Sequence, residues 1–214
     1  MVQIEDWLLQ APAGHDQVII LGASAGWMMS PSFLMRFKEV TCVDFDWLGR
    51  WLFRWRFRAL FRGKARTLHY ALGDAHLLLP RLLRAKPQAL ILFDNFLGLD
   101  SLYTRDLGVT QTRLSAIKTL LMGRTWGSIH DRFSGPAPTP ARNPPVVHPH
   151  CTGEPLDEQS LIQSIQGSGE WLDHSTGMVL PQGQAARLMA WPIRAGRWHW
   201  LEAAWVAPPS IKGD

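Results

Sequence analysis

The sequence predicts an α/β protein: a doubly wound, mostly parallel seven-stranded sheet that ends in a C-terminal antiparallel hairpin. Three observations predict it. From residue 18 onward, apolar runs of strand length alternate with helix-length segments, as βα units do. The first run, residues 18–21, is four aliphatics closed by a glycine turn, which leaves no polar side for water and fits a strand covered on both faces. Near the other end, residues 186–193 and 198–206 are joined through Arg194-Ala195-Gly196-Arg197, a hairpin with a short glycine turn.

In order, a short amphipathic lead at 4–10 precedes the first strand. A helix over 27–37 and a second strand over 40–43 follow, and then a long helical stretch over 46–62. Residues 67–71 predict the third strand, 75–84 a helix, and 89–93 the fourth strand, ending at Asp94. Residues 110–122 predict a helix capped by Thr110, and 125–129 the fifth strand. The proline-rich stretch 135–149, GPAPTPARNPPVVHP, can neither continue a helix nor pair in a central strand, and predicts a loop near the strands' carboxyl ends. One more helix, 157–166, precedes the hairpin.

A chain of 214 residues with 46% hydrophobic content can bury a sizeable core, and one domain over 1–214 is expected. No apolar stretch is long enough to cross a bilayer, and Glu5 and Asp6 argue against a signal peptide, so a cytoplasmic location is expected. Cys42 falls in a predicted buried strand and Cys151 in a loop, so no disulfide framework is expected. The net charge of +4 mildly favours anionic partners.

The stretch 17–46 carries the clearest chemistry. Gly22, Ala23, Ser24, Ala25 and Gly26 make a strand-to-helix turn whose small side chains let backbone N–H groups approach a ligand. Asp44 ends the second strand 22 positions after Gly22, a spacing that sets an acid against a ribose edge in nucleotide-binding sheets. The expected site is a nucleoside-cofactor crevice.

With five βα units, one more helix and a terminal hairpin, the chain resembles the class I S-adenosylmethionine-dependent methyltransferases. The family's glycine motif aligns with Gly22, Ser24 and Gly26, its ribose-binding acid with Asp44, and its adenine-side acid with Asp74 in Leu72-Gly73-Asp74-Ala75-His76. The resemblance implies S-adenosylmethionine as cofactor, held by Gly22, Ala23, Ser24, Gly26, Asp44, Phe45, Gly73, Asp74 and Ala75. It also implies a methyl acceptor approaching Asp94, Asn95 and His130. Ser24 stands where the family's middle glycine would be, and Ile20 where many members carry an acid. Asn95-Phe96-Leu97 lacks the paired prolines of enzymes that methylate exocyclic or amide nitrogens. Methyl transfer demands mainly an aligned nucleophile, so no fixed triad is required, and a scaffold of the same fold without catalysis is the alternative.

Other readings start from the same residues. Gly22 to Gly26 also resembles the opening of short-chain dehydrogenases, which bind a pyridine nucleotide, but neither Tyr70 nor Tyr103 has a lysine four positions on. It matches Gly-x-Ser-x-Gly too, and Ser24 with Asp94 or Asp173 and then His174 would give a hydrolase triad in chain order. His130-Asp131 and Asp173-His174 are candidate acid–base pairs, or loop ties. His148, His150 and Cys151 carry zinc-ligand chemistry without a regularly spaced fourth ligand, so no metal is expected there. Finally, Arg50, Arg54, Arg58 and Arg62 recur every four residues among Trp47, Trp51 and Phe61, a stripe suited to an anionic partner, RNA or a lipid surface, or to ordinary solvent exposure.

Overall fold

A computed structural model describes residues 2–63, 65–98, 106–138 and 147–208. The elements run α1 (Val2–Leu9), β1 (Gln17–Leu21), α2 (Pro31–Leu34), β2 (Glu39–Asp44), α3 (Trp47–Arg56), β3 (Thr67–Leu72), α4 (Ala75–Ala85), β4 (Leu90–Asp94), α5 (Leu107–Leu121) and β5 (Trp126–Pro136). They continue as β6 (Val147–Cys151), α6 (Glu158–Ser164), β7 (Leu172–Asp173), β8 (Ala185–Arg194) and β9 (Arg197–Val206).

The strands form one sheet in the order β3-β2-β1-β4-β5-β9-β8-β6, with β7 added alongside β5. The β3, β2, β1, β4 and β5 strands pair in parallel, whereas β9, β8, β6 and β7 join antiparallel to their neighbours. β1 lies inside the sheet, and its side chains alternate between two cores. Val18 and Ile20 enter the core beneath α1, α2 and α3, while Ile19 and Leu21 enter the one beneath α4 and α5. That division makes the sheet doubly wound. A third cluster, around Phe133, Trp198 and Trp200, packs the extended end of β5 and β9 against α6.

The seven expected strands are present, but the sheet has nine. One addition, β6, lies partly in the expected proline-rich loop: Val147–Cys151 pairs with β8 at the sheet edge, where Pro149 takes the place of a residue with an N–H. Residues 139–146 of that loop, and Tyr103, lie outside the described residues. β5 is eleven residues long and runs through His130, Asp131 and Arg132 instead of ending before them, because β9 pairs with it along that whole length.

Three helices differ from expectation. α2 is four residues, since Pro31 takes the first turn and the Ser30 hydroxyl accepts the N–H of Phe33 at 3.2 Å. α3 stops at Arg56, and turns replace the expected helix to 62; continued, it would stack Arg50, Arg54, Arg58 and Arg62 at a spacing where like charges repel. α5 begins at Leu107, capped by Asp106 rather than by Thr110, whose hydroxyl donates to Asp106 O at 3.1 Å. Cys42 and Cys151 are both free. Among the described residues no helix is long and apolar enough to cross a membrane.

Candidate functional site: a cavity at the strand ends and a polar cluster behind it

The parallel strands end together around a cavity of about 710 Å³. Its floor is Gly22, Ala23 and Ser24 after β1, with Asp44 and Phe45 after β2. Gly73, Asp74 and Ala75 follow β3, and Asp94, Asn95 and Phe96 follow β4. Trp27, Met28, His76, Arg113, Trp191 and Ile193 complete the wall.

The first turn is shaped by close approach. Gly22 has φ +79, and a Cβ there would lie 2.5 Å from the Asp94 carbonyl oxygen and 3.0 Å from Phe96 Cβ. Ser24, at the middle-glycine position, itself adopts φ +41, a conformation that costs a residue with a Cβ about 1–2 kcal/mol. Two contacts hold it: its N–H donates to Asp44 Oδ2 at 2.8 Å, and the Tyr70 hydroxyl donates to its carbonyl at 3.0 Å. Gly26 plays a different part. A Cβ at this position would meet the Phe57 ring at 2.6 Å and the Phe53 ring at 2.8 Å, so its bare backbone lets the turn pack on α3 and does not line the cavity.

Asp74 is the N-cap of α4, accepting the N–H of His76 at 2.8 Å. Asp94 is buried on the cavity wall; desolvation, and then the nearby charge of Asp44, push its carboxyl up to about 8.

Behind Asn95 sits a second polar group whose members are scattered along the sequence. Asn95, at φ +52, donates to Asp131 Oδ2 at 3.0 Å, and its own Oδ1 accepts the Asp131 N–H at 3.1 Å. The other carboxylate oxygen, Oδ1, meets His199 Nδ1 at 2.8 Å. Burial opposes ionisation of Asp131, but the hydrogen bonds from His199 and Asn95, with the charges of His199 and His174, prevail and hold its carboxyl below the usual range. A bulge at Arg132 resets the alternation of β5, so that Asp131 and Ser134 share a face. Ser134 Oγ then contacts His174 Nε2 at 3.1 Å.

His130 points to the opposite face from Asp131 and is absent from the cavity wall. Fully buried, it lies between Ser128 Oγ at 3.0 Å and Glu202 Oε2 at 3.0 Å. His150 Nε2 approaches Glu202 Oε1 at 2.8 Å. Burial would raise the Glu202 carboxyl, yet these two histidines hold it down to about 2. His150 thus serves Glu202, and the His148 ring packs on Trp200. The hydrolase triad is likewise not assembled, since His174 meets Ser134. Nor is Tyr70 placed for dehydrogenase chemistry, because its hydroxyl is committed to Ser24.

Seven strands, β3-β2-β1-β4-β5-β9-β8, with β9 alone reversed, reproduce the order and directions of the class I methyltransferase sheet. The fold is that of the class I S-adenosylmethionine-dependent methyltransferases. No protein-family pattern and no curated protein sequence matches the chain. Among solved structures, an rRNA methylase from Streptococcus thermophilus is similar, with TM-score 0.42 and 12% identity over 94% of this chain and 93% of that one. A cofactor-bound protein from MTB gives 0.49 and 15% over 97% and 80%. An SAM-dependent methyltransferase from Thiobacillus denitrificans, in complex with S-adenosyl-L-homocysteine, gives 0.35 and 19% over 63% and 48%. These likenesses are distant, and the assignment of the fold stands on strand order and direction.

The wall residues Trp27, His76, Arg113, Trp191 and Ile193, and the partner His199, are not singled out by the sequence. Most come from α4, α5 and the hairpin, and no local motif marks which of their side chains meet at the cavity.

Proposed function

We propose that the whole chain, as one domain, is a methyltransferase that binds S-adenosylmethionine in this cavity. The observation that carries the reading is the conjunction of a glycine turn too close to Asp94 for any side chain with two strand-end acids, Asp44 and Asp74, on one cavity wall. The residues present fit the cofactor. Gly22, Ala23 and Ser24 leave backbone exposed along the floor, where the amino acid portion would lie. Asp44 has lone pairs left beyond its two backbone contacts and would accept the ribose hydroxyls. Gly73, Asp74 and Ala75 would border the adenine, with Phe45 against its face. When bound, the cofactor supplies an electrophilic methyl group on a sulfonium.

The acceptor would enter between Trp27, Phe96, Trp191 and Ile193, an apolar opening suited to a flat or hydrophobic molecule. Asp94 and Asn95 line the same cavity. In the ionised form that it reaches as pH rises toward 8, Asp94 would take the proton that an acceptor hydroxyl or amine releases, and Asn95, locked by Asp131, would orient it. The free cysteines suit the cytoplasm, where thiols stay reduced.

We also propose that α3 meets an anionic lipid surface. Trp47, Trp51 and Trp55 are 71%, 59% and 57% exposed along one face, beside Arg50, Arg54 and Arg58, and no acid occurs from Trp47 to Arg62. Leu48 on the same helix is exposed as well; aliphatic chains gain from acyl contact and nothing from stacking on bases.

Calorimetric titration with S-adenosylmethionine, S-adenosylhomocysteine and NAD tests the first reading. Micromolar binding of the first two and none of NAD is expected. Binding of NAD alone would replace the methyltransferase with an oxidoreductase, and binding of none would leave a scaffold.

A further inference from the structure

We infer that Asp131, His174 and His199 form a binding site for a divalent transition metal of the zinc class, one residue behind the cavity wall. Each offers one ligand atom, and the three atoms lie within 4.8 Å of one another; among the described residues this is the one His, Cys, Asp and Glu group so arranged. Two imidazoles and a carboxylate are the donor set that zinc takes when three protein ligands leave a fourth position open. With bonds of about 2.1 Å, ligand atoms around a tetrahedral zinc sit about 3.4 Å apart. On binding, the His199 Nδ1 to Asp131 Oδ1 pair, now at 2.8 Å, would open as the ion takes the place of its hydrogen bond, and wider separations within the 4.8 Å limit would close.

The surroundings are what a metal site needs. Asp131 and His174 are buried and His199 is half-buried, so the donors are kept from bulk water. They arrive from three places in the chain, the bulge of β5, the turn after β7 and the start of β9, each fixed in the sheet or beside it. Asn95 holds Asp131 Oδ2, leaving Oδ1 on the side of His199. Ser134 Oγ fixes the His174 ring. The Thr176 hydroxyl donates to the Asp131 carbonyl at 2.8 Å, and the His174 N–H donates to Arg132 O at 3.1 Å, pinning the backbones of both ligands. Outer partners of this kind orient ligands and typically carry tenfold to hundredfold in metal affinity. Of two neighbouring guanidiniums, that of Arg132 pairs with Asp173 at 3.0 Å, while that of Arg197 donates to Ser134 Oγ at 3.1 Å and is a positive charge that an incoming cation would meet.

The ion would tie β5, β7 and β9 together and, through Asp131, hold Asn95 at the cavity wall. This site does not depend on the cofactor assignment, and it is tested without cofactor or acceptor.

The protein, stripped with chelator, is titrated with Zn2+ by calorimetry, and with Co2+ by visible absorption. One equivalent is expected to bind with micromolar or tighter affinity, with cobalt bands of four- or five-coordinate intensity and a raised melting temperature. His174→Ala and His199→Ala should each weaken binding at least tenfold, and Ser134→Ala about tenfold. Melting curves identify any variant that fails to fold. The paired substitution His148→Ala with Cys151→Ser should leave binding intact. Absence of saturable Zn2+ binding in the wild-type protein overturns the site, and so does binding abolished by the His148 and Cys151 substitutions.

Discussion

Asp44 Oδ2 accepts the Ser24 N–H at 2.8 Å while its Oδ1 accepts the Asp46 N–H at 2.9 Å. One carboxylate therefore braces the strained glycine-rich turn and the entry to α3 at once. The acid expected to hold a ribose is also the clasp that keeps the cavity floor in shape.

Asp44→Ala is accordingly expected to weaken S-adenosylmethionine binding tenfold to hundredfold, the loss of a hydrogen bond to a charged group at about 1.5–3 kcal/mol. It should also lower stability modestly through the freed Ser24 turn. Asp44→Asn, which keeps an acceptor, should recover part of both. Calorimetry on folded protein decides: wild-type affinity in Asp44→Ala would remove Asp44 from the cofactor site.

Asp94 gives a pH dependence. Its carboxyl sits at about 8 in the fold against an ordinary value of 3.8, so between these pH values the folded state holds a proton that the unfolded state has lost. Stability falls as pH rises through that window and levels off above it. Asp94→Asn mimics the neutral acid and should melt several degrees above wild type at pH 8.5, with the difference shrinking toward pH 4. Parallel melting curves across pH, with no convergence at low pH, would show that Asp94 is not held neutral.

The parallel half of the fold is legible in the sequence because β1, β2 and β4 are buried on both faces and read as apolar runs, broken in β2 only by Thr41. The same half displays its ligands locally: Gly22, Ser24, Asp44 and Asp74 each stand at or just beyond a strand's end. The antiparallel half hides its chemistry. His199 sits on β9 and His174 follows the two-residue β7, 68 and 43 positions from Asp131, and only pairing across the sheet brings them together. The expectation that His130 faces the acceptor rests on β5 ending before it. Inside the strand, alternation sends it away from Asp131. Gly26 keeps the position of a cofactor glycine in the alignment, yet its space belongs to Phe53 and Phe57.

The Ser128, His130 and Glu202 line makes that placement testable. Removing a buried hydrogen bond to a charged group costs about 1.5–3 kcal/mol; His150 still reaches Glu202, so His130→Ala should fall near the lower end. Denaturant unfolding should show that loss, with S-adenosylmethionine affinity of the folded protein unchanged within about twofold. Unchanged stability with weakened cofactor binding would return His130 to the cavity.

The α3 face offers the last test. Gly49 and Phe53 are buried on the inner side, so the exposed Trp47, Trp51 and Trp55 contribute nothing to the core, and their removal should leave folding intact. Arg58 lies over the Trp55 ring at 5.9 Å and Arg56 over Trp27 at 5.1 Å, which keeps cation and aromatic surface side by side as an interfacial helix does. The protein is expected to bind vesicles of phosphatidylcholine with phosphatidylglycerol more tightly than phosphatidylcholine alone, and to release as salt rises. Brominated acyl chains should quench part of the tryptophan emission. Changing Trp47, Trp51 and Trp55 together to Ala should abolish the quenching, whereas Arg50, Arg54 and Arg58 changed to Gln should remove mainly the salt-sensitive part. Salt-sensitive binding to single-stranded RNA without vesicle binding would assign the face to nucleic acid instead, because stacked tryptophans and arginines serve bases as readily as headgroups, and only the acyl contact separates the two.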